Sequence, residues 1–425
     1  MDMQLEKPKL FPENKGFLFA MAVFVFFIFM RLSLTYSTYQ NFISKPFYYT
    51  YAEVLISYEK IKNSRRYTVL KLKSEEGFTF YTTTHRREDF NHKYLRLQLF
   101  PDKKIGFKEY LGTFYIKSKI KDQVNLPSTV KDRLLENVTI QHTHQGLASF
   151  YNAIFFATPL AKELRDKIAL LGISHLVALS GFHLGILWGL LYGIFYFLYR
   201  PLQQKFFPYR QALFDVGILS MFLLGVYVWF VGAPPSLLRS FAMVFVGWGV
   251  LLLGMELISF TFLTSIMLML IALFPPLLVS LSFWLSVAGV FYIFLLLEYT
   301  KHLNKWLISF LVIPIGIFIL MLPVVHSVFG MTSTYQLLSP FLSILFIPFY
   351  PLVMFLHVLG IGDVLDGGLQ WLFALPNESQ EKFVPLWATL VYVAVSIGAI
   401  WYKRVFYILL VFSVLYMFYL FIPIE

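Results

Sequence analysis

The chain has 425 residues, of which 58% are hydrophobic and 19% aromatic, and its mean hydropathy is +0.67. A water-soluble fold of this length could not bury that much apolar surface, so the composition indicates a polytopic membrane protein. The absence of cysteine excludes disulfides, thiolate metal sites and a cysteine nucleophile. Only 14% of the residues are charged, yet the net charge is +11, so the placement of the positive charge is informative.

The N-terminal apolar run, residues 17–30, is bulky and aromatic, and no small-residue cleavage site follows it. A removable signal peptide would have such a site, so we predict that residues 1–34 form a retained first membrane span. The lysines before the run place its start on the cytoplasmic side of the membrane.

Residues 45–123 differ from the rest of the chain because they hold 17 Lys and Arg against nine Asp and Glu, a net charge of +8. Apolar and polar residues alternate around Leu70 and Leu72 and again over 95–99, which is the pattern of half-buried strands. The segment 74–77 is typical of a hairpin loop, with Gly77 free to take a positive φ. About five strands fit, so we predict a small OB-like β-barrel domain outside the membrane.

Basic and aromatic residues are interleaved throughout this domain. A single-stranded nucleic acid requires such a surface, because Lys and Arg neutralise phosphates while aromatic rings stack on bases. The interleaved aromatic residues are Tyr58, Tyr67, Phe78, Phe80, Tyr81, Phe90 and Tyr94. The candidate DNA-binding residues are Lys60, Lys62, Arg65, Arg66, Lys71, Lys73, Arg86, Arg87, Lys93 and Arg96. The alternative is that the aromatic residues fill the domain core or a membrane-facing belt and that the lysines only keep the domain soluble.

The rest of the chain is predicted to be helical. Residues 125–168 have the mixed polarity of amphipathic or interfacial helices, and their apolar segment 147–160 is short enough to predict an interfacial or re-entrant helix. Residues 169–425 form a multi-span domain. Its predicted spans lie near 170–199, 212–231, 237–255, 257–274, 278–297, 306–328, 336–358, 384–402 and 404–424. With the first span, the chain is a polytopic α-helical membrane protein of about ten spans.

Basic loop residues set the predicted orientation. Arg200, Lys205 and Arg210 share one loop, which we place in the cytoplasm, so residues 45–123 lie on the extracytoplasmic side. If every predicted span crossed the membrane, the basic residues near the C-terminus would lie on the extracytoplasmic side. One of the elements after residue 336 is therefore expected not to cross completely. The candidate is 336–358, which three prolines are expected to break. The polar stretch 359–383 is predicted to lie on the membrane surface.

Residues 172–193 combine an apolar sequence with polar side chains. Four glycines recur every four residues and would form a smooth seam for a neighbouring helix. They are Gly181, Gly185, Gly189 and Gly193. His175, Ser180 and His183 would project toward the same half of this helix. Ionisable groups at membrane depth usually face a bundle interior or a water-filled path, so we predict that these three side chains line a passage.

Arg239 is the fourth candidate lining residue. It lies one turn into a helix that follows Pro234 and Pro235, where an arginine is costly unless it snorkels, pairs or meets an anion such as a phosphate. The alternatives are that Arg239 snorkels to lipid headgroups and that His175, Ser180 and His183 satisfy one another inside a packed bundle.

Catalytic and metal-binding functions find little support. No Asp, Glu or Cys lies near His175 and His183 to complete a zinc site, and Ser180 has neither an orienting carboxylate nor a G-x-S-x-G motif. The H-x-H at 142–144 is not followed by the Asp-His of a metallohydrolase, and no P-loop is present. We therefore expect no enzyme activity, no metal and no cofactor.

Three segments resemble the ComEC family of bacterial competence proteins, which carry transforming DNA across the inner membrane. GISHLVALSGFHLG is similar to the family's hallmark, G-hydrophobic-[ST]-H-L-x-A-x-S-G-x-H. APPSLLRSFAMV resembles its proline–serine–x–x–Arg segment, and FPPLLVSLSFWLSVAGV resembles its S-x-x-F-x-L-S segment. Many members also have a C-terminal metallo-β-lactamase-like domain; we expect a short form without it, so no nuclease activity is implied.

The resemblance implies an inner-membrane channel that imports single-stranded DNA into the cytoplasm during natural transformation. The implied partners are single-stranded DNA, membrane lipids, a periplasmic DNA receptor and a cytoplasmic DNA motor or single-strand-binding competence protein. Whether the passage lies within one chain or in a homodimer stays open. The residues alone also allow a membrane hydrolase or transferase that uses His175, Ser180 and His183 on a phosphodiester or lipid-linked substrate, or a transporter of another polyanion.

Overall fold

A computed structural model describes residues 8, 10–11, 13–62, 65–86, 88, 90, 93–127, 129–254, 259–376 and 378–422. The chain divides into two compact units. A β-rich unit comprises residues 13–129 and 264–283, and a helical unit comprises residues 1–12, 130–263 and 284–425.

The β-rich unit begins with a long apolar helix, α1 (Asn14–Ile43), of 30 residues. At 1.5 Å per residue α1 is about 45 Å long, which exceeds the hydrocarbon thickness of a bilayer. The other elements in this part of the chain are β1 (Tyr48–Lys62), β2 (Arg65–Ser74), β3 (Thr79–Thr84), β4 (Lys93–Phe100), α2 (Phe107–Leu111), β5 (Thr113–Tyr115) and β6 (Lys117–Asn125). The end of α1 belongs to the domain core, because Phe42 is buried among its side chains.

The strands form one sheet in the order β5-β3-β2-β1-β4-β6. All pairs are antiparallel except β3 with β5, which is parallel. The predicted alternation is confirmed: Leu70, Leu72 and Phe80 are 0% exposed, as are the three leucines of β4. The predicted hairpin loop is also confirmed, since Gly77 has a φ of +92° and its N–H donates to Ser74. Among the described residues the pairing gives an open sheet, so the predicted closed barrel is not shown.

The remaining helices follow in short succession. They are α3 (Val130–Thr139), α4 (Gln145–Phe156), α5 (Lys162–Leu170), α6 (Ser174–Val177), α7 (Gly181–Phe206), α8 (Ala212–Phe230), α9 (Pro235–Leu252), α10 (Phe260–Leu273), α11 (Leu281–Thr300), α12 (Lys305–Leu307), α13 (Ile313–Val325), α14 (Ser339–Val358), α15 (Asp366–Phe373), α16 (Leu386–Gly398) and α17 (Lys403–Phe421). Two short strands, β7 (Met331–Thr332) and β8 (Gln380–Glu381), pair with each other.

The chain is a polytopic helical membrane protein. Seven of the described helical segments are long and apolar enough to cross a membrane: Asn14–Ile43, Gly181–Phe206, Ala212–Phe230, Leu281–Thr300, Lys305–Val325, Thr334–Val358 and Lys403–Phe421. Three further predicted spans correspond to the shorter apolar helices α9, α10 and α16. The helix α4 has 12 residues, seven of them buried, and its interfacial or re-entrant position stays a prediction.

One expectation for the last hundred residues is wrong. The prolines do not break 336–358, because Pro340 lies in the first turn of α14, where no N–H is needed, and the helix continues through Pro348 and Pro351. The stretch 359–383, for which a place on the membrane surface stays a prediction, is partly structured. It contains a 3-10 turn (Gly362–Leu365) and α15, whose first residue Asp366 is only 7% exposed.

Two apolar clusters stabilise the helical unit. The larger one joins α4, α7, α8 and α14 and contains the fully buried Tyr151, Leu184 and Tyr350. The smaller one joins α11, α13, α16 and α17. There the Tyr392 hydroxyl donates to the Leu320 carbonyl at 2.8 Å. Such a bond between helices helps them to associate in a membrane, where burial of apolar side chains against other helices gains little over contact with lipid.

Candidate functional site

The sheet β1 to β6 together with α2, residues 48–125, is called the β-domain. Its outward face has many aromatic and basic side chains. These side chains alternate with the buried residues of β1 to β4 and β6, and we call this set the outer sheet face. Its aromatic and basic members include Tyr49, Tyr51, Lys71, Lys73, Tyr81, Tyr94, Arg96 and Lys119. The same face also has two exposed carboxylates, Glu53 opposite Lys73 and Tyr94, and Asp122 opposite Arg96. Flat rings and flexible cations side by side on one sheet provide both of the contacts that single-stranded nucleic acid makes.

The centre of this face is a stacked group on β1 and β4. The rings of Tyr51 and Tyr94 are nearly parallel, with 6.0 Å between centroids and 9° between planes. The Arg96 guanidinium lies 5.9 Å from the Tyr51 centroid and 6.0 Å from the Tyr49 centroid. Tyr51 and Arg96 are direct cross-strand neighbours, so the pairing register holds ring and cation together.

The hydroxyl of Tyr94 is held by an acidic neighbour. It donates a hydrogen bond to Glu75, and this bond raises the pKa of Tyr94 to about 12. The phenol is neutral at physiological pH, as an unperturbed tyrosine also is, and the negative charge near this ring lies on Glu75, with Glu53 and Glu76 nearby.

The predicted DNA-binding residues do not all lie on this face. Lys71, Lys73 and Arg96 do, whereas Lys93 is placed 3.5 Å from Glu88. Lys60 is exposed toward the far end of β1, and the pairing register places it on the same side of the sheet as Lys71. Arg66 and Arg86 are exposed elsewhere on the domain. Outside the described part of the chain lie Arg87 and the side chains of Lys62 and Arg65.

The aromatic residues also divide by face. Phe80 and Phe90 are 0% exposed and Phe78 packs against the same core, so for these three the core-filling alternative is correct. Tyr94 lies on the outer sheet face, and so does Tyr81, the cross-strand neighbour of Lys71 on β3. Tyr49 and Tyr51 were missed, although they alternate with the buried Thr50 and Ala52, and this alternation would have identified them.

Residues 172–193 do not form one helix. After α6 the chain is extended at Ala178 and Ser180, and α7 begins at Gly181. Ser180 is the N-cap residue: its N–H donates to Nδ1 of His183 at 3.3 Å, and its Oγ lies 3.4 Å from the same nitrogen. The prediction of a continuous helix is wrong because the N-cap Ser180 starts a new helix within the apolar run.

The two histidines of this segment have different environments. His183 is 0% exposed, and its ring packs edge-on against Phe346 and Tyr350 at 5.1 and 4.9 Å. Its Nε2 has no hydrogen-bond partner among the described residues. His175 is exposed, and its Nε2 lies 3.2 Å from Oγ of Ser343 on α14. The lining role predicted for both stays a prediction.

Arg239 lies beside this segment at the start of α9. Ser236, one turn earlier, donates to the Leu179 carbonyl at 3.1 Å and so joins α9 to the residues that precede α7. Arg239 itself is 5% exposed. A guanidinium this deeply buried does not snorkel to lipid headgroups, so that alternative is wrong.

Of the four seam glycines, Gly181 is close to another helix. A Cβ there would lie 3.1 Å from Oγ of Ser240 on α9, whereas one at Gly185, Gly189 or Gly193 would meet no neighbouring atom of the described chain within 4 Å. The structure therefore gives a close helix contact at the first glycine of the seam.

Substitution of these glycines is expected to have opposite effects. Gly181→Leu should overpack the α7–α9 contact and lower stability by roughly 1–3 kcal/mol. Gly189→Leu should be neutral or stabilising by up to about 1 kcal/mol, because the helix gains a better helix former without a clash. The thermal midpoints of the two detergent-purified variants test this, and equal losses in both would contradict the packing assigned to Gly181.

A buried polar cluster was missed entirely. His142, dismissed at the sequence level as part of an H-x-H, contacts His357 at the end of α14 and Asp366 at the start of α15, each at 2.9 Å. His144 is exposed and does not join them. No group of three or more metal-binding side chains suited to a metal ion occurs among the described residues.

Comparison with known proteins decides the family. The family described as "Competence protein" matches residues 157–425, which is more than half of the chain. This chain belongs to the competence protein family. Membership agrees with the resemblance in 172–193 and around Arg239, and it indicates a role in DNA uptake. The competence match does not include the β-domain or His142. Neither a curated protein nor a solved structure matches the chain.

Proposed function

We propose that this protein is an inner-membrane channel that imports single-stranded DNA into the cytoplasm during natural transformation. The observation that supports it best is the family match to competence proteins together with the outer sheet face of the β-domain. The domain collects the strand on the extracytoplasmic side. The helical unit conducts it across the membrane, and a periplasmic DNA receptor and a cytoplasmic motor or single-strand-binding protein complete the route.

The β-domain is proposed to be an OB-like barrel. Two observations on its last strands support closure. β5 pairs with β3, β6 pairs with β4, and only Ile116 separates β5 from β6 in sequence. The hydroxyls of Thr82 and Ser118 lie 2.8 Å apart, which joins β3 directly to β6. Residues 113–125 therefore run along both edges of the sheet formed by β1 to β4, as the closing strand of a small barrel would.

The passage is proposed to run along the start of α7. His175 and Ser180 are its lining residues, since one side chain is exposed and the other half-buried. His183 and Arg239 are buried near these two residues and form part of the wall of the passage. Arg239 supplies a positive charge in a region of low dielectric constant, where attraction for a phosphate is strong.

Import of labelled DNA tests the channel. In competent cells that lack this protein, labelled DNA is expected to accumulate outside the cytoplasmic membrane while none reaches the cytoplasm. Expression of the wild-type chain should restore cytoplasmic label. Unchanged import in the deletion strain would refute the proposal, and hydrolysis of a lipid-linked or phosphodiester substrate by the purified chain would favour a membrane enzyme.

A further inference from the structure

Three buried side chains from separate elements form a hydrogen-bonded chain in the helical unit. Asp366 Oδ2 lies 2.9 Å from Nδ1 of His142, and Nε2 of His142 lies 2.9 Å from Nε2 of His357. Nδ1 of His357 lies 2.6 Å from the Val353 carbonyl oxygen. None of the three residues is more than 9% exposed. We call His142, His357 and Asp366 the buried triad.

The number of protons follows from these contacts. A carbonyl oxygen can only accept, so Nδ1 of His357 bears the proton in the bond to Val353. The bond between the two Nε2 atoms needs a second proton, and the bond between His142 and Asp366 needs a third. Two neutral histidines and an ionised aspartate hold two protons in total. The intact triad therefore holds one proton more, whether it is placed on Asp366 or on an imidazole.

The triad connects segments that are far apart in sequence. His142 lies in the turn between α3 and α4, and its neighbour Gln141 donates to the His357 carbonyl and accepts from the Gly362 N–H at 2.9 Å. Tyr151 of α4 stacks on His142 with 4.6 Å between ring centroids. Tyr151 is thus the titratable group that faces the triad from α4, while Asp363, on the 3-10 turn before α15, is exposed.

We propose that the buried triad is a proton-binding site whose extra proton fastens the turn before α4 and the start of α15 to the end of α14. Loss of that proton leaves one of the three hydrogen bonds without a hydrogen, so two lone pairs face each other in a buried site. The connection between the three elements then weakens. The proton is thus a ligand of the folded helical unit, independent of any role in DNA transport.

The dependence of stability on pH tests the site. Between about pH 7.5 and 9 the unfolded chain has ionised its Asp side chains and neutralised nearly all of its His side chains, so the triad in the folded protein holds one proton more than the same residues hold in the unfolded chain. Stability must then fall as pH rises, by up to about tenfold in the unfolding equilibrium constant per pH unit until the triad releases its proton. The thermal midpoint of the full-length protein in detergent is expected to decrease over this range.

Asp366→Asn is the decisive variant. The asparagine amide donates to Nδ1 of His142, so all three hydrogen bonds form with neutral histidines and no extra proton. The thermal midpoint of Asp366→Asn should therefore not decrease as pH rises from about 7.5 to 9. Asp363→Asn removes an exposed carboxylate three residues away and should keep the wild-type pH dependence.

Three results would overturn the proposal. One is a wild-type thermal midpoint that does not fall between about pH 7.5 and 9, which needs no variant. Another is an Asp366→Asn protein that keeps the wild-type pH dependence. The third is a stoichiometric metal ion bound by His142 and His357 in the purified protein. None of these measurements uses DNA, so their failure is distinct from failure of the proposed channel function.

Discussion

Alanine substitution of Tyr51 or of Arg96 is expected to weaken the binding of single-stranded DNA by about tenfold each. Stacking of one base on an aromatic side chain contributes roughly 1–3 kcal/mol, and 1.4 kcal/mol corresponds to a tenfold change in affinity. Tyr51 is 44% exposed, and Arg96 lies over its ring on the outer sheet face. Neither residue belongs to the apolar core of the domain, so the fold should survive both changes.

The dependence of affinity on salt concentration distinguishes base stacking by Tyr51 from phosphate binding by Arg96. Tyr51→Ala removes no charge, so the affinity should fall equally at every salt concentration. Arg96→Ala should also reduce the slope of log affinity against log salt by about 0.7, which is the loss of one phosphate contact with a single strand. The loss of affinity in the Tyr51→Ala, Arg96→Ala double variant should be smaller than the product of the two single losses, because the guanidinium and the ring are in contact. Fluorescence anisotropy of a labelled oligothymidine, titrated with purified full-length protein, measures each quantity.

Tyr58→Ala is the matched control. Tyr58 is on the same strand and is 47% exposed, but it lies seven residues, or roughly 20 Å, from Tyr51. Its substitution should leave the affinity unchanged. If Tyr58→Ala weakens binding as much as Tyr51→Ala, the DNA does not bind at the stacked group, and a more diffuse site on the domain is indicated.

His183→Ala is expected to lower the stability of the protein by roughly 2–4 kcal/mol and to abolish DNA import. The imidazole is 0% exposed, so its removal leaves a cavity beside Phe346 and Tyr350. The variant also loses the acceptor for the Ser180 N–H, and with it the cap of α7. The thermal midpoint in detergent and the import of labelled DNA report the two effects.

His183→Gln distinguishes capping from a direct role in the passage. Glutamine three residues after a serine N-cap accepts from the backbone N–H of that cap, so this variant preserves the start of α7. It is expected to keep most of the stability and the import of the wild type. A variant with normal stability but no import would show that the imidazole itself acts on the passage, contrary to the capping role that the buried geometry supports.

The strands of the β-domain could be predicted because alternation is a local property. The burial of Leu70 and Leu72 follows from their spacing alone, once one face of the sheet is covered. The positions of the aromatic residues could not be predicted from residue type alone, since a phenylalanine or tyrosine fits either a core or a binding surface. Phe80 was left open between a stacking surface and the core and lies in the core, whereas Tyr51 was missed, because the residue type was weighed before its phase in the strand.

The helical unit shows the same division. Hydropathy predicted the apolar segments, but it could not locate the break before Gly181, because an apolar run suits one long helix and two helices with a capped junction equally well. The prolines of α14 led to the opposite error, because they predicted a break where the helix is continuous. A proline disfavours a helix locally, yet in a packed membrane helix its neighbours can satisfy the freed carbonyl.

Composition and local pattern by themselves determined that this is a polytopic membrane protein with an inserted basic β-domain, and three short motifs indicated its family. These properties are sums or periods along the chain, so no knowledge of packing is needed. Only the tertiary structure decided which tyrosines flank Arg96 and that His142 meets His357 and Asp366, 215 and 224 residues further along the chain. Such contacts depend on how separate elements pack, and no local pattern in the sequence encodes that packing.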